Sequence, residues 1–224
     1  MIRNSTKWLI AFDVDGTLLE RPRSSWKLIH ELLGTLDKAK KYPVMYMRGE
    51  ISYEEWARLE ASLWRGVKYD WLKERAIKEI RLRDGCKELF QEIKKYNVEC
   101  IFISAGLGMI VYEVAKMLDV NEVYVNELVV DKDGRITGDV IVRVSFEGKG
   151  DILRRVAVQK GIPKSKIIAI GDSESDIGMF KASGISIVVN PESERVIHYA
   201  DYIVHNNSLR PLIPILTSIV QKEY

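Results

Sequence analysis

Two aspartates one residue apart, Asp13 and Asp15, directly follow an apolar run at 9–12. A short apolar run that ends at a turn signal is typical of a buried strand, and Gly16 lets the chain turn sharply after it. Both carboxylates would then lie at the carboxyl edge of a sheet, where open α/β folds bind their ligands. Close carboxylates repel each other unless a cation or a proton lies between them, and Mg²⁺ prefers oxygen ligands. The spacing predicts a metal-dependent site; the alternative interpretation is a solvated turn.

A second group of candidates is Ser104 with Ala105 and Gly106, which follow another apolar run at 101–103. A hydroxyl at a strand end, before a small-residue turn into a helix, would present its oxygen together with backbone N–H groups. That combination suits a phosphate group, as at helix N-termini that bind anions. The alternative is an ordinary serine that caps the next helix.

Two further patterns place charge near a helix start. Lys149 lies between two glycines, which would let a ligand approach the backbone closely, so its ammonium group is a candidate partner for a phosphoryl group. Asp172 follows the apolar strand-like run 166–171, and Asp176 lies in the first turn of the helix after it. Helix capping explains Asp176, whereas Asp172 beside Asp13 would supply a second carboxylate to Mg²⁺. The alternative for Lys149 is a solvated loop lysine.

The elements that must position these residues alternate between strand and helix over most of the chain. Asp133-Gly134 between β-branched runs predicts a hairpin turn at 132–134. Strands are predicted at 98–104, 122–130, 166–171, 185–189 and 202–204, and helices around 89–97 and at 107–118, 151–160, 176–182 and 192–199 and from about 209 onward. The alternation predicts an α/β fold with a doubly wound, mostly parallel, Rossmann-like sheet.

The segment after the first strand is different, because only helical patterns are found from 21 to about 82. We predict helices from Ser24 or Ser25 to Leu36, from the capping box at 52–55 onward, and from Asp70 to about Ile80, with an irregular stretch at 40–49. A helical block at this place predicts a cap inserted over the site. The predicted division is an α/β core at 1–20 and 82–224 and a helical cap at 21–81.

Composition excludes several classes of protein. The chain has 34 Lys and Arg against 32 Asp and Glu, so no bulk positive charge favours nucleic acid. Its 46% hydrophobic residues are too interrupted for membrane spans, and no signal peptide is expected before Leu9. Cys86 and Cys100 lack a metal-binding spacing and are expected to be buried thiols. We therefore expect a cytoplasmic protein that binds neither nucleic acid nor membrane; its oligomeric state is left open.

Taken in order, these motifs resemble those of the haloacid dehalogenase-like superfamily, and the stretch around 125–150 resembles its phosphoserine phosphatase branch. The resemblance implies that Asp13 is the nucleophile and Asp15 the general acid and base, with a raised pKa. It implies Mg²⁺ as cofactor and a small phosphorylated metabolite as substrate. The implied metal site comprises Asp13, Asp15, Asp172 and Asp176. The implied residues that bind phosphate or substrate are Thr17, Ser104, Ala105, Gly106 and Lys149, with Glu20 and Arg48 as further candidates.

The predicted cap holds four of the five tryptophans. One interpretation is core packing of a small helical unit; the other is a pocket for an apolar or ring-shaped leaving group. His30 is expected to be packed or exposed, and Arg48 to meet a second anionic group.

The function predicted first is a Mg²⁺-dependent phosphomonoester hydrolase that forms an aspartyl-phosphate. Two alternatives stay open at this point: a phosphotransferase that uses an alcohol acceptor, and a non-catalytic relative that binds a phosphorylated ligand. The second would be marked by loss of Asp13, Asp15 or Lys149, and all three are present.

Overall fold

The structure, a computed structural model, describes residues 7–221. Residues 1–6 and 222–224 of the predicted core lie outside the described residues. A seven-stranded sheet has the order β6-β5-β4-β1-β7-β8-β9, and only β6 runs antiparallel to its neighbour. Its strands are β1 (Trp8–Phe12), β4 (Val98–Leu107), β5 (Glu122–Val130), β6 (Ile136–Ile141), β7 (Ile167–Gly171), β8 (Ile185–Val189) and β9 (Tyr202–Val204). The predicted fold class is confirmed.

Helices cover both faces of this sheet and fill the segment after β1. The helices are α1 (Ser25–Leu33), α2 (Leu36–Ala39), α3 (Lys41–Met47), α4 (Tyr53–Ser62), α5 (Tyr69–Lys78), α6 (Cys86–Ile93), α7 (Gly108–Leu118), α8 (Lys149–Lys160), α9 (Ile177–Ala182), α10 (Glu194–Ile197) and α11 (Leu212–Gln221). Short 3₁₀ turns precede β7 and α9.

The central strand β1 shows why the sheet is buried on both faces. All five of its residues are buried, and successive side chains point to opposite sides. Ile10 and Phe12 pack in the apolar layer that contains Phe90, whereas Leu9 and Ala11 pack in the layer on the other face. Each large side chain buried in this way contributes about 1.5–3 kcal/mol to folding. The continuous apolar run before Asp13 therefore fixes the position at which the chain reaches the sheet edge.

Two predictions for the segment after β1 are wrong. The segment is not all helical, because β2 (Leu19–Arg21) and β3 (Arg81–Leu82) form a two-stranded antiparallel ribbon at its base. The stretch around Pro43 is not irregular, because α3 contains it. Pro43 is the third residue of α3, where its missing N–H has no intrahelical partner to lose.

Several predicted boundaries of helices and strands also differ from those in the structure. The first cap helix ends at Leu33 rather than at Leu36, because Gly34 adopts the left-handed conformation that terminates a helix. The fourth strand continues past Ser104 to Leu107. The helix expected at 192–199 shortens to α10, and the backbone N–H of Glu192 instead donates to the carbonyl of Asp172 at 2.8 Å. The hairpin turn at 132–134 is confirmed, with Gly134 at a φ of 72°.

The helical segment is joined to the hairpin β5–β6 by backbone hydrogen bonds. Gly66 donates to Ile136 at 2.8 Å, Ile136 donates to Val67 at 2.9 Å, and Tyr69 donates to Gly134 at 2.9 Å. These bonds join the connection between α4 and α5 to the hairpin. The division into a core at 1–20 and 82–224 and a cap at 21–81 stays a prediction; below, "cap" means residues 21–81.

Among residues 7–221, no helix is both long enough and apolar enough to cross a membrane. Cys86 is buried and Cys100 half-buried, and both are free thiols. Burial raises the pKa of each thiol to about 12, which keeps both in the unreactive protonated form.

Candidate active site

Two neighbouring parallel strands, β1 and β7, bring the first and last acidic motifs to one edge of the sheet. The N–H of Asp13 donates to the carbonyl of Ile170 at 2.9 Å, which extends the ladder by one residue. Gly16 has a φ of 80°, and a Cβ atom built on it would lie 2.3 Å from Asp172 Oδ2. Only glycine therefore allows the loop after β1 to approach Asp172 so closely.

Lys149 is the cation at the centre of this edge. Its Nζ lies 2.7 Å from Asp13 Oδ1 and 2.7 Å from Asp176 Oδ1, and all three side chains are almost fully buried. Burial alone would lower the pKa of Lys149, but the two carboxylates raise it above its ordinary value. Burial raises the pKa of Asp13 to about 7, although Lys149 opposes that shift. A lysine between glycines is thus a buried ion-pair partner here, and the solvated-loop interpretation is wrong.

Asp172 completes a cluster of three buried carboxylates with Asp13 and Asp176, in which one oxygen of each residue lies within 4.8 Å of the other two. Thr17 Oγ1 lies 3.1 Å from Asp172 Oδ1 and 3.3 Å from Asp13 Oδ2. Burial, reinforced by the two other carboxylates, raises the pKa of Asp172 well above its ordinary value. One buried lysine does not balance this many acids, so the donor set fits a hard divalent cation.

Asp15 lies beside this cluster with one oxygen engaged and one free. Its Oδ2 accepts from the N–H of Ser25 at 2.7 Å, whereas Oδ1 has no hydrogen-bond partner among residues 7–221. Burial raises the pKa of Asp15, as its predicted role requires. The residue thus combines a preference for the protonated form with an oxygen that is available to a ligand.

The segment Ser104–Ala105–Gly106 forms the next part of the site. Ser104 Oγ accepts from the N–H of Gly106 at 3.1 Å, and Ser25 Oγ accepts from the N–H of Leu107 at 2.8 Å. A Cβ on Gly106 would lie 2.6 Å from Asp15 Oδ2 and 2.6 Å from Ser25 Oγ. Because β4 continues to Leu107, three more strand residues follow Ser104. The prediction that Ser104 lies at a strand end, before a turn into a helix, is therefore wrong.

Most of these residues line a cavity of about 320 Å³. Its cap side is formed by Ser24, Trp26, Tyr53 and Trp56, and Arg23 lies at its edge with Nη2 3.8 Å from Asp172 Oδ2. From the core, the lining residues are Asp13, Asp15, Ser104, Ala105, Gly106, Phe146, Lys149, Asp172, Ser173, Ser175 and Glu192. Nine of the predicted site residues are therefore brought together: Asp13, Asp15, Thr17, Ser104, Ala105, Gly106, Lys149, Asp172 and Asp176.

Glu20 and Arg48 are not brought to this cavity. Glu20 is exposed in β2, because the ribbon with β3 turns this part of the chain away from the sheet edge. Arg48 follows α3, is exposed, and lies 3.8 Å from Glu50. Glu20 was expected near the substrate because it follows the first motif closely, and Arg48 because it could meet a second anionic group.

Three supporting residues were missed by the sequence analysis. Ser25 was read only as a helix cap, yet its N–H and hydroxyl contact Asp15 and Leu107. Asn126 is fully buried in β5 and donates to the carbonyl of Ala105 at 3.0 Å; a polar residue inside an apolar strand was the available signal. Arg83 is buried, and its guanidinium donates to the carbonyls of Gly16 and Thr17, which holds the loop after β1.

Some tryptophans of the cap belong to its core, and others line a pocket. Trp64 is fully buried and packs against His30, with ring centroids 4.7 Å apart, so it belongs to the core. Trp26 and Trp56 line the cavity, while Trp71 is exposed. Of the two expectations for His30, packed or exposed, the structure shows the first, since the residue is 2% exposed.

We expect the metal-free protein to lose stability as the pH rises toward 7. The folded-state pKa of Asp13 is raised from 3.8 to about 7, so the folded state binds more protons than the unfolded state between these values. The stabilisation from Asp13 is complete below pH 3.8 and is lost as the pH rises to about 7. Over this range the free energy of unfolding falls by up to about 1.4 kcal/mol per pH unit. Urea unfolding with a chelator measures it; the slope should flatten in Asp13→Asn, and an unchanged slope would contradict the prediction.

Comparison with known proteins gives a consistent set of relatives. A family model described as haloacid dehalogenase-like hydrolase matches residues 10–181. The phosphoserine phosphatase of Methanocaldococcus jannaschii is 33% identical over 185 residues, which cover 81% of this chain and 84% of that protein. The phosphoserine phosphatase of Archaeoglobus fulgidus is 30% identical over 191 residues, which cover 84% of this chain but only 54% of that protein.

A solved structure extends the similarity to three dimensions. It is a phospho-aspartyl intermediate analogue of phosphoserine phosphatase, 30% identical to this chain, with a TM-score of 0.81. The match covers 94% of this chain and 99% of that one.

Proposed function

The chain is a phosphatase that belongs to the haloacid dehalogenase-like hydrolase family, and we propose that it hydrolyses a small phosphorylated metabolite through a phosphoryl group carried on Asp13. The observation that carries the proposal is the convergence on one cavity of a lysine-paired Asp13, an Asp15 with a free oxygen, and Asp172. Phosphoryl transfer needs mainly positioning and charge neutralisation, and these residues provide both.

In this mechanism the Asp13 carboxylate attacks phosphorus and displaces the alcohol. The hydrogen bond from Lys149 to Oδ1 orients the carboxylate, and we propose Oδ2 as the attacking oxygen. An ammonium group has three donors, and Asp13 and Asp176 occupy two of those of Lys149. The third donor and the Ser104 hydroxyl would hold oxygens of the phosphoryl group, as charge-assisted hydrogen bonds do in other phosphate sites.

Asp15 acts first as acid and then as base. Burial raises its pKa, which favours the protonated form that gives its proton to the departing alcohol oxygen. The free Oδ1 is the atom from which the proton leaves. The resulting carboxylate then takes a proton from the water that attacks the aspartyl-phosphate and regenerates Asp13.

The proposed cofactor is Mg²⁺, held by the carboxylates of Asp13 and Asp172 and by the backbone carbonyl of Asp15. When bound, the ion would neutralise negative charge on the phosphoryl group. Asp176 supports this site rather than binding the ion, because its Oδ1 accepts from Lys149 and its Oδ2 from the N–H groups of Asp172 and Ser173. Such outer partners hold the residues that contact the metal.

We also propose a cytoplasmic location. Two free cysteines without a disulfide suit a reducing compartment.

The proposal is tested by phosphate release from a panel of phosphorylated metabolites, including phosphoserine, with Mg²⁺ or with a chelator. We expect release from at least one ester with Mg²⁺ and a loss of at least about 100-fold with the chelator. No release from any ester under either condition, in a folded protein, would refute the proposed activity.

A further inference from the structure

A second cavity of about 360 Å³ lies within the cap. We propose that it receives the leaving group of the substrate, and that this group is an apolar carbon skeleton that carries a hydroxyl. The inference rests on the proposed phosphatase function and specifies the substrate class of the same site.

The cap cavity adjoins the catalytic cavity. Ser24, Trp26, Tyr53 and Trp56 line both. Trp26 Nε1 and the Tyr53 hydroxyl donate to the carbonyl of Ala105 at 2.9 and 3.2 Å, so the shared wall is fixed to the segment that contains Ser104. The cap cavity therefore lies against the wall of the cavity that contains Asp13.

Most of the cap cavity is apolar. Besides the shared aromatic residues, its apolar lining consists of Leu36, Ala39, Pro43 and Ala57. Its two lysines are exposed and have acidic neighbours: Lys40 Nζ lies 2.6 Å from Asp37 and Lys27 Nζ lies 3.9 Å from Glu31. Within residues 7–221, no buried cation lines this cavity. A cavity of this size and character suits a small organic group rather than an ionic one.

His30 is a buried polar residue of the cap cavity, and one of its ring nitrogens is available to a ligand. The Trp64 indole N–H, which can only donate, lies 3.2 Å from His30 Nδ1 and 3.3 Å from Thr35 Oγ1, and the Thr35 hydroxyl lies 2.7 Å from His30 Nδ1. We assign Nδ1 as the acceptor of these two donors, which places the proton of a neutral imidazole on Nε2. In the described part of the chain, this Nε2–H has no hydrogen-bond partner, although the side chain is 2% exposed. A buried donor without a partner is costly unless a ligand satisfies it.

Glu60 supplies the complementary acceptor. It is 7% exposed, and its Oε1 accepts from Trp56 Nε1 at 2.7 Å. Its Oε2 lies 3.7 Å from His30 Nε2, which is too far for a hydrogen bond between them. A hydroxyl seated beside the pair can accept from Nε2–H and donate to Oε2 at once. An ammonium group cannot accept, and a carboxylate would be repelled by Glu60.

The experiment compares esters that differ only in that hydroxyl. We would measure kcat/KM for para-hydroxymethylphenyl and para-methylphenyl phosphate, and for straight-chain alkyl phosphates of increasing length with and without a terminal hydroxyl. We expect at least one hydroxyl ester to be preferred over its plain partner, and over phosphoserine, by roughly tenfold or more. His30→Phe and Glu60→Gln should remove this preference, so that the ratio of kcat/KM between each hydroxyl ester and its plain partner falls to about one.

Glu55→Gln is the matched control, because Glu55 is an exposed residue of the same helix outside the cavity, and it should keep the preference. Equal turnover of every ester pair, or a preference that survives both variants, would overturn the proposal. Failure of the phosphatase proposal itself is distinguishable, because it would abolish turnover of all esters. Binding of para-hydroxymethylphenol to the chelated protein, measured by calorimetry and lost in His30→Phe, supports the cavity assignment without turnover, and its absence in the wild type counts against it.

Discussion

Replacing Asp13 by asparagine should abolish hydrolysis of para-nitrophenyl phosphate, with a fall in kcat of at least about 10⁴-fold. Asparagine keeps the shape of the side chain and an oxygen that can accept from Lys149 Nζ, which lies 2.7 Å from Asp13 Oδ1. It lacks the charge and nucleophilicity needed to attack phosphorus. Steady-state turnover at saturating Mg²⁺ measures the effect, and far-UV circular dichroism checks that the variant is folded.

Asp151→Asn is the control for this first variant. Asp151 is an exposed acid in the first turn of α8, outside the cavity, and its loss makes the same change in charge. We expect its kcat to stay within about twofold of the wild type, in line with the small effects of exposed substitutions. If Asp13→Asn retained more than about one hundredth of the activity, Asp13 would not be the nucleophile.

The second large effect is expected for Lys149→Met. Methionine leaves the buried carboxylates of Asp13 and Asp176 without their shared cation. We expect kcat/KM to fall by about 10³-fold, since a preorganised donor to the phosphoryl group is lost. The unfolding free energy of the metal-free protein should fall by about 3–5 kcal/mol, the usual cost of removing one partner of a buried ion pair. Turnover assays and urea unfolding with a chelator measure the two effects.

Lys160→Met separates this effect from the loss of any ion pair. Lys160 is on the same helix and also has two carboxylate partners, Glu99 at 2.6 Å and Glu122 at 2.7 Å, but it is partly exposed. Its loss should cost less than about 1 kcal/mol and leave turnover unchanged. Equal costs for the two variants would show that the buried site has no special electrostatic role.

The sheet edge could be predicted from the sequence because its signals are local. The apolar run before Asp13 is buried throughout in β1, and the run before Asp172 is buried throughout in β7. Parallel pairing of these two strands then brings both acids together. Residues that directly follow the buried strands of one parallel sheet lie at the same edge of that sheet, and this does not depend on the conformation of the loops.

The cap could be predicted only in outline, because its contacts join distant parts of the chain. In the ribbon, Leu19 of β2 pairs with Leu82 of β3. β2 has three residues and β3 has two, so neither strand is long enough to show the alternation of apolar and polar residues that predicts a strand. Glu20 was expected at the site because it follows the first motif closely, yet this pairing leaves it exposed. Tertiary pairing here overrides what spacing alone indicates.

The roles of Ser25 and Asn126 show the same limit within the site. Ser25 reads as a helix cap in any sequence, and only the fold reveals that its N–H reaches Asp15 Oδ2 at 2.7 Å. Asn126 holds Ala105 through a contact between residues 21 positions apart. His30 was expected to be packed or exposed and is packed. Its Nε2 has no hydrogen-bond partner within residues 7–221, and only the fold brings Trp64 and Thr35 to its Nδ1.

Chemical trapping of the aspartyl-phosphate tests most directly whether Asp13 carries the phosphoryl group. The enzyme would be mixed with excess para-nitrophenyl phosphate and Mg²⁺, quenched in acid and reduced with borohydride, which converts an acyl phosphate to the alcohol. Peptide mass spectrometry should then find homoserine at position 13, and none when substrate is omitted or when Asp13→Asn is used. Trapping at another residue, or aspartate intact at position 13 in an enzyme that turns over under the same conditions, would contradict the mechanism.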